Sequence, residues 1–321
     1  MKISIAIITY NRAILLKETL ISILNQSVVP SQIVIVDDGS TDNTEKVIRN
    51  LDSDIVYKRI ENSGPAIARK TAIELCTGHW IALCDSDDIW DPEHIERFIQ
   101  FTKALPERDV YFTNFSILGE PGSNKFKEAP MGWFNKLTEK KYLNDRFLAL
   151  SEDLYEGILI FQPIFQSALI FKKELYERIG GISTELGRIN SEDAHLTRRL
   201  IAYGKAGCAT QPMVKIRKHC DNYSTSWLKN NEGRLLILKQ LCNHQQIPEK
   251  YIKVTLDNIQ ASEIDLFNGY YWSNEHKKAI NQFKQVGCQY FKFIEVLRYI
   301  TSNFYYYKQQ LMNKIKKRQI G

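Results

Sequence analysis

The chain has 321 residues, 44% hydrophobic and 25% charged, a balance that fits a soluble globular protein with ample core and excludes a disordered chain or a small disulfide scaffold. Its formal net charge of +6 is too mild for the basic face of a nucleic-acid binder. The excess gathers at the C-terminus, where Lys308, Lys314, Lys316, Lys317 and Arg318 crowd the last residues and point to an anionic surface as partner for the tail.

Strands and helices alternate through the first hundred residues. Ile3 to Ile8 reads as a buried strand, and Ala13 to Leu24 carries Leu16, Leu20, Ile23 and Leu24 at helical spacing. Gln32 to Val36 is a second strand, followed by a turn and a helix from Asp42 or Thr44 to Leu51. Ile55 to Ile60 is a third strand, Gly64-Pro65 opens a helix to Cys76, and Trp80 to Cys84 is a fourth strand. Strand, helix, strand at this spacing predicts right-handed crossovers and a mainly parallel sheet flanked by helices. From Pro106 to Met213 the pattern is irregular, with a long loop near 119–132 and a strand at Phe165 to Phe171. From Trp227 onward it is helical, which predicts a C-terminal helical appendage.

The sharpest chemical signal is the end of the fourth strand, Trp80-Ile81-Ala82-Leu83-Cys84-Asp85-Ser86-Asp87-Asp88, where three acids follow an apolar run within four residues. Asp85 and Asp87 share one face of an extended backbone, and a turn would let Asp88 join them. Such carboxylates repel one another unless a hard divalent ion such as Mg²⁺ or Mn²⁺ neutralises them. In a parallel sheet this end lies beside Thr9-Tyr10-Asn11-Arg12 and Asp37-Asp38-Gly39-Ser40-Thr41-Asp42, the ends of the first two strands, where ligands of open α/β sheets collect. Thr and Asp side chains there can hold a nucleobase or ribose, and Asn62, Gly64 and Arg69 add a loop and a cation. The competing local readings are a turn that caps the next helix for Asp37 to Ser40 and a solvated helix residue for Arg69.

Together these residues resemble glycosyltransferase family 2, which has the GT-A fold. The resemblance rests on I-I-T-Y-N-R (Ile7 to Arg12), V-D-D-G-S-T-D (Val36 to Asp42), N-S-G-P-A-I-A-R (Asn62 to Arg69) and D-S-D-D-I-W (Asp85 to Trp90). Where the family continues with Asn after A-R, this chain has Lys70. The resemblance implies nucleotide-sugar contacts from Thr9, Tyr10, Asn11, Arg12, Asp38, Asn62, Arg69, Asp85 and Ser86, and metal ligation by Asp85 and Asp87. Ser191-Glu192-Asp193 resembles the family's E-D motif at a helix start, which implies a catalytic base, Asp193 first and Glu192 second. Lys215 to Ser224 is similar to an R-x-H segment of some members, implying Arg217 on the phosphates and His219 in the metal shell or on the diphosphate.

The resemblance further implies inverting transfer of one sugar from a UDP-linked donor to a glycan or lipid-linked acceptor in surface polysaccharide assembly, with Mn²⁺ or Mg²⁺ as cofactor. The Q-x-x-R-W motif of processive synthases is absent. Residues 1–105 would form the donor half, 106–226 the acceptor half and 227–321 the helical appendage. A non-catalytic nucleotide-sugar or glycan binder of the same fold is the alternative. A haloacid-dehalogenase-type phosphatase is excluded because Val36 stands where its nucleophilic Asp would be, and a phosphate-loop NTPase because G-x-x-x-x-G-K-[ST] is missing.

Phe293, Leu297, Ile300, Phe304, Leu311 and Ile315 form one apolar stripe beside Tyr305, Tyr306, Tyr307 and the basic end. It predicts either packing on the body of the protein or on another subunit, the default for such stripes, or contact with an anionic leaflet. The six cysteines show no CxxC pair, no signal-peptide pattern opens the chain, and no apolar run reaches transmembrane length. The expectation is a cytoplasmic protein, peripheral on the inner face of the membrane if the tail binds lipid.

Overall fold

The computed structural model describes residues 1–51, 54–183, 192–218 and 226–320. In chain order it runs β1 (Ile3–Thr9), α1 (Ala13–Leu24), β2 (Gln32–Asp37), α2 (Thr44–Leu51), β3 (Val56–Arg59), α3 (Pro65–Leu75), β4 (Trp80–Asp85), β5 (Ile89–Trp90) and α4 (His94–Ala104). The second half continues with β6 (Val110–Ile117), α5 (Trp133–Leu137), β7 (Thr138–Tyr142), β8 (Phe147–Leu150), α6 (Leu154–Ile160), β9 (Leu169–Lys172), α7 (Lys173–Arg178), α8 (Glu192–Tyr203) and β10 (Ala206–Ile216). Four longer helices close the chain: α9 (Trp227–Asn243), α10 (Ile252–Trp272), α11 (His276–Val286) and α12 (Phe293–Ile320).

The strands form one sheet in the order β3-β2-β1-β4-β9-β6-β10-β8-β7, with β5 paired to β10. β3, β2, β1 and β4 run parallel, β9 is antiparallel to both neighbours, and β6 and β10 resume the original direction. This is the α/β, mainly parallel sheet expected, and its first half reproduces the predicted elements almost residue for residue.

The period-2 pattern explains why both faces are covered. Ile3, Ile5 and Ile7 of β1 and Ile33 and Ile35 of β2 face one way, onto Leu16, Leu20 and Ile23 of α1 and Ile95, Phe98 and Phe101 of α4. Ala6, Val34 and Val36 face the other way, onto Ala66, Ala68 and Ala72, whose small side chains let α3 approach the sheet closely. Leu16, Leu20 and Ile23 are fully buried, so truncating any one to Ala would cost about 2–5 kcal/mol.

The irregular region is more ordered than its sequence predicts. The expected strand Phe165 to Phe171 is instead a 3-10 turn, Gln166–Ala168, leading into β9. The pattern misses β5, β6, β7, β8 and β10, and the two longest of these, β6 and β10, lie side by side. Buried Thr113 and Asn114 interrupt the apolar run of β6, and β10 passes Pro212 through register shifts between Ala209 and Val214, where a bulge tolerates proline. Helices α9 to α11 extend the same buried cluster through Leu238, Leu241, Leu266, Phe267 and Phe283. Among the described residues, no helix is long and apolar enough to cross a membrane.

Candidate active site

The loops after β1 and β2 are laced together at the carboxyl edge of the sheet. Asp38 N–H donates to the Thr9 carbonyl at 2.9 Å, and Asn11 N–H donates to Ser40 Oγ at 2.8 Å. Asn11 Oδ1 accepts from Thr41 N–H at 2.7 Å, and Asp42 accepts from Ala13 N–H at 3.1 Å. Asn11 holds φ at 51°, in the left-handed region where Asn is one of the tolerated residues. Thr9 is buried and its Oγ1 finds no hydrogen-bond partner among the described residues, while Tyr10 beside it is exposed.

Asp38 reaches across to the next loop. Its two carboxylate oxygens accept from Ser63 N–H at 2.7 Å and Gly64 N–H at 2.9 Å, at the amino end of α3, where the helix dipole favours an anion. Each oxygen keeps a further lone pair, so this anchoring leaves capacity for a ligand. Gly39 makes the approach possible: its φ is +87°, and a Cβ there would meet Asn62 N at 3.0 Å. Asp37 is occupied with holding the turn, accepting from Ser40 N–H and from the Tyr57 hydroxyl.

The acidic turn after β4 divides its three carboxylates. Asp87 pairs with Arg12 at 2.6 Å, and Asp85 pairs with buried Arg69 at 3.1 Å. Asp88 turns inward instead of joining them. It is 1% exposed, accepts from Ser167 Oγ on one oxygen and from Arg217 N–H at 3.0 Å on the other, and its pKa is pushed well up by burial and then by Asp85 and Asp87. Asp88 N–H closes the turn on the Asp85 carbonyl, with Ser86 buried inside it. Arg217 spans the same region, donating through Nε to the Asp87 carbonyl at 3.0 Å and through Nη2 to Glu18.

Two adjacent residues connect this turn to the expected base. Ser167 Oγ accepts from Asp85 N–H at 2.9 Å while donating to Asp88, and its carbonyl takes the Trp90 indole N–H. Gln166, 2% exposed, donates to the Asp193 carbonyl at 3.4 Å and to Thr197 Oγ1 at 3.1 Å on α8. Asp193 is half-buried in the first turn of α8, with Oδ1 accepting from Ala194 N–H at 2.8 Å. Glu192 opens α8, but its side chain lies outside the described residues, as does His219.

The structure therefore gathers Thr9, Tyr10, Asn11, Arg12, Asp38 and Asn62 at neighbouring loops of one sheet edge, and joins Arg12, Arg69, Asp85, Ser86, Asp87 and Arg217 around the acidic turn. Sequence reasoning missed Gln166 and Ser167. Only their place after an aromatic-rich segment hints at them, because their partners lie between 27 and 82 residues away. Asp85 and Asp87 are carboxylates of the kind a hard divalent ion takes, but guanidinium groups pair with both, both oxygens of Asp88 are engaged inward, and among the described residues no three potential ligands cluster as a metal site.

Known proteins bear on this geometry. TuaG, a Bacillus subtilis glycosyltransferase named for teichuronic acid biosynthesis, is 34% identical over 137 residues, 40% of this chain and 53% of that protein. The chain spans about half the length of the curated relatives it matches. Staphylococcus aureus TarS (residues 1–349), solved with UDP-GlcNAc, superposes with a TM-score of 0.63 at 19% identity, covering 89% of this chain and 80% of that one. A mannosyltransferase of Pyrobaculum calidifontis, PcManGT, solved with GDP-Man and Mn²⁺, gives 0.56 at 18% identity over 94% and 87%. The fold is thus the GT-A fold. The glycosyl transferase family 2 model matches residues 4–167, a span that takes in all four motif loops, the acidic turn and Ser167. With half of its length so matched, the chain belongs to glycosyl transferase family 2.

Proposed function

We propose that the protein is an inverting, metal-dependent glycosyltransferase that moves one sugar from a nucleotide donor, UDP-linked, to a glycan or lipid-linked oligosaccharide in surface polysaccharide biosynthesis. The observation that carries this reading is the junction at Gln166 and Ser167, which ties the Asp85 to Asp88 turn to the amino end of α8. A diphosphate site and a base must stand on one rigid frame if an acceptor hydroxyl is to attack in line. The UDP-GlcNAc complex of TarS and the GDP-Man and Mn²⁺ complex of PcManGT support a nucleotide-sugar donor and a divalent ion. TuaG supports the surface-polymer context.

In this mechanism Asp193, with Glu192 as second candidate, takes the proton of the acceptor hydroxyl. The hydroxyl oxygen bonds to the anomeric carbon from the face opposite the nucleotide, and the bond from that carbon to the diphosphate breaks with the electron pair leaving on phosphate. Asp85 and Asp87, with His219 as the third candidate, would hold Mn²⁺ or Mg²⁺, which supplies positive charge for the departing diphosphate. Arg12, Arg69 and Arg217 offset the remaining phosphate charge. Asp38, Asn62 and the Thr9 to Asn11 loop hold the nucleoside. Residues 1–105 form the donor half and 106–226 the acceptor half, and residues 227–321 form the helical region through which the protein meets the inner face of the cytoplasmic membrane.

The test is nucleotide release. Purified protein with Mn²⁺ and a panel of UDP-, GDP- and dTDP-sugars should hydrolyse one donor slowly, and Asp87→Ala and Asp193→Ala should each abolish that release. Mn²⁺-dependent nucleotide binding with no release, alone or with glycan and lipid-linked acceptors, would overturn the enzyme reading in favour of a binding protein.

A further inference from the structure

The last helix is amphipathic the wrong way round for a protein in water. Residues 295, 299, 302 and 306 of α12, spaced four, three and four, share the face turned to the body of the protein. There Glu295 and Ser302 are buried, Tyr299 stacks on Phe283 at 4.1 Å, and Ser302 Oγ meets His276 Nδ1 at 3.3 Å. The opposite face carries Phe293, Leu297, Ile300, Phe304 and Tyr307, spaced four, three, four and three. These are 78%, 41%, 57%, 64% and 66% exposed, and the sequence continues the spacing at Leu311. The stripe that periodicity alone would pack on the core thus points outward. Beside it Trp272, at the end of α10, is also exposed, with Arg298 of α12 lying 5.1 Å over its ring.

The charge on this element identifies what covers the face. From residue 296 onward the chain has six of its 43 Lys and Arg, namely Arg298, Lys308, Lys314, Lys316, Lys317 and Arg318, and none of its 37 Asp and Glu. The first 295 residues therefore balance at 37 of each sign, and the whole formal charge of +6 belongs to this helix segment. A second copy of the helix would bring six more cations and no acid to meet them, the opposite of the charge pairing that flanks helix-helix seams. A surface that is apolar at depth and anionic at its rim matches both features. Rings of Phe, Tyr and Trp seat at the headgroup level, and lysines meet the surface charge.

We infer that the outward face of α12, flanked by Trp272, docks on an anionic lipid bilayer. The inference deepens the function proposed above, on which it rests for the choice of a lipid-borne acceptor, and it adds the side chains that make the contact. The helix lies in the plane of the surface with Phe293, Leu297, Ile300, Phe304 and Tyr307 entering the headgroup boundary, while the side that carries Tyr299 and Ser302 stays on the protein.

The experiment is co-sedimentation of the full chain with vesicles of phosphatidylcholine alone or with roughly 30% phosphatidylglycerol, whose charge supplies the surface potential. Wild type should pellet with the anionic vesicles only, and less so as salt is raised. Leu297→Ser with Phe304→Ser should weaken that binding at least about tenfold through lost apolar burial. Changing Lys308, Lys314, Lys316 and Lys317 to Gln should weaken it about a hundredfold or more. Both variants should keep the wild-type unfolding midpoint and, in the absence of vesicles, the wild-type rate of nucleotide release, so that failure of docking and failure of the glycosyltransferase reading are read separately. Absence of wild-type binding to anionic vesicles, or equal binding by the variants, overturns the inference. A dimer by light scattering that Phe304→Ser dissociates, without vesicle binding, would reassign the face to contact between copies.

Discussion

Ser167 offers the most direct test of how the acidic turn is held. Its hydroxyl accepts from the Asp85 amide at 2.9 Å and donates to Asp88, 1% exposed beneath the turn. Ser167→Ala removes both bonds and admits no water in their place, because Ser167 is fully buried. A buried polar group left without its partner costs about 1–3 kcal/mol, so two such groups, not fully additive, should lower stability by about 2–4 kcal/mol. The same change loosens the backbone that aims Asp85 and Asp87, and should weaken Mn²⁺-supported UDP binding about tenfold or more, the loss expected when a partner that orients metal ligands is removed. Urea unfolding followed by tryptophan fluorescence gives the first quantity, and titration calorimetry with UDP and Mn²⁺ the second. Thr197→Ala serves as the contrast, since it removes the Gln166 bond to Thr197 and the Thr197 bond to the Asp193 carbonyl while touching none of the bonds of the turn. A Ser167→Ala protein within about 0.5 kcal/mol of wild type, with unchanged UDP binding, would refute the positioning argument, because that is the range of surface substitutions away from any such feature.

Three further outcomes follow from the geometry. Asp193→Asn should lower the rate of sugar transfer by about 10²–10⁴ with donor affinity nearly unchanged, as measured by kcat and by UDP-sugar titration; equal losses in both would make Asp193 a structural cap. Arg12→Gln removes the Arg12–Asp87 ion pair, so Mn²⁺ binding without nucleotide should tighten while UDP affinity falls, both by calorimetry; weaker Mn²⁺ binding would contradict a neutralising role. Acidification should destabilise the fold through His94 and His195, which burial holds down to about 3 and about 4 from 6.5. The unfolded chain takes up protons that the folded one refuses, so their contribution is intact above pH 6.5 and is lost as pH falls toward about 4 for His195 and about 3 for His94. At pH 5 the loss is about 2 kcal/mol for each histidine, and His94→Leu should remove its share of that slope in urea unfolding.

How far the sequence can be read depends on where each residue finds its partners. In the first hundred residues the apolar periods are unbroken and each strand ends in a motif, so both the elements and the convergence of Thr9, Asp38 and Asp85 follow from local pattern and the parallel-sheet rule. Beyond Pro106 the signals interfere. Asn114 sits in the buried middle of β6 because its side chain bonds Asn124 and the Thr210 carbonyl, contacts that no local pattern announces. The β7-β8 hairpin turns through Leu143, Asn144 and Asp145, all at positive φ, and its first strand, Thr138–Tyr142, is polar enough to pass for loop. For α12 the period was legible but the side was not, because periodicity reports that a stripe exists and never which of two surroundings it faces.

Asp88 shows the same limit at the site itself, and why the turn needs it. Three carboxylates in four residues are alike in sequence, and local geometry allows Asp88 to stand with Asp85 and Asp87. Its fate is decided by Ser167, 79 residues on, and by the Arg217 amide, 129 residues on. With its oxygens taken from inside, Asp88 fastens the turn to the 3-10 segment and to the strand end at β10, and the other two acids are left to meet Arg69 and Arg12. An apolar residue at 88 would leave the Ser167 hydroxyl and the Arg217 amide without their acceptor, so the third acid is the anchor that lets the first two be ligands. If that division is right, Asp88→Asn, which keeps the volume and one carbonyl acceptor and changes the charge, should preserve more nucleotide release than Asp87→Asn. If the two variants were equally inactive and equally stable, all three acids would have to be counted as ligands and the inward role of Asp88 abandoned.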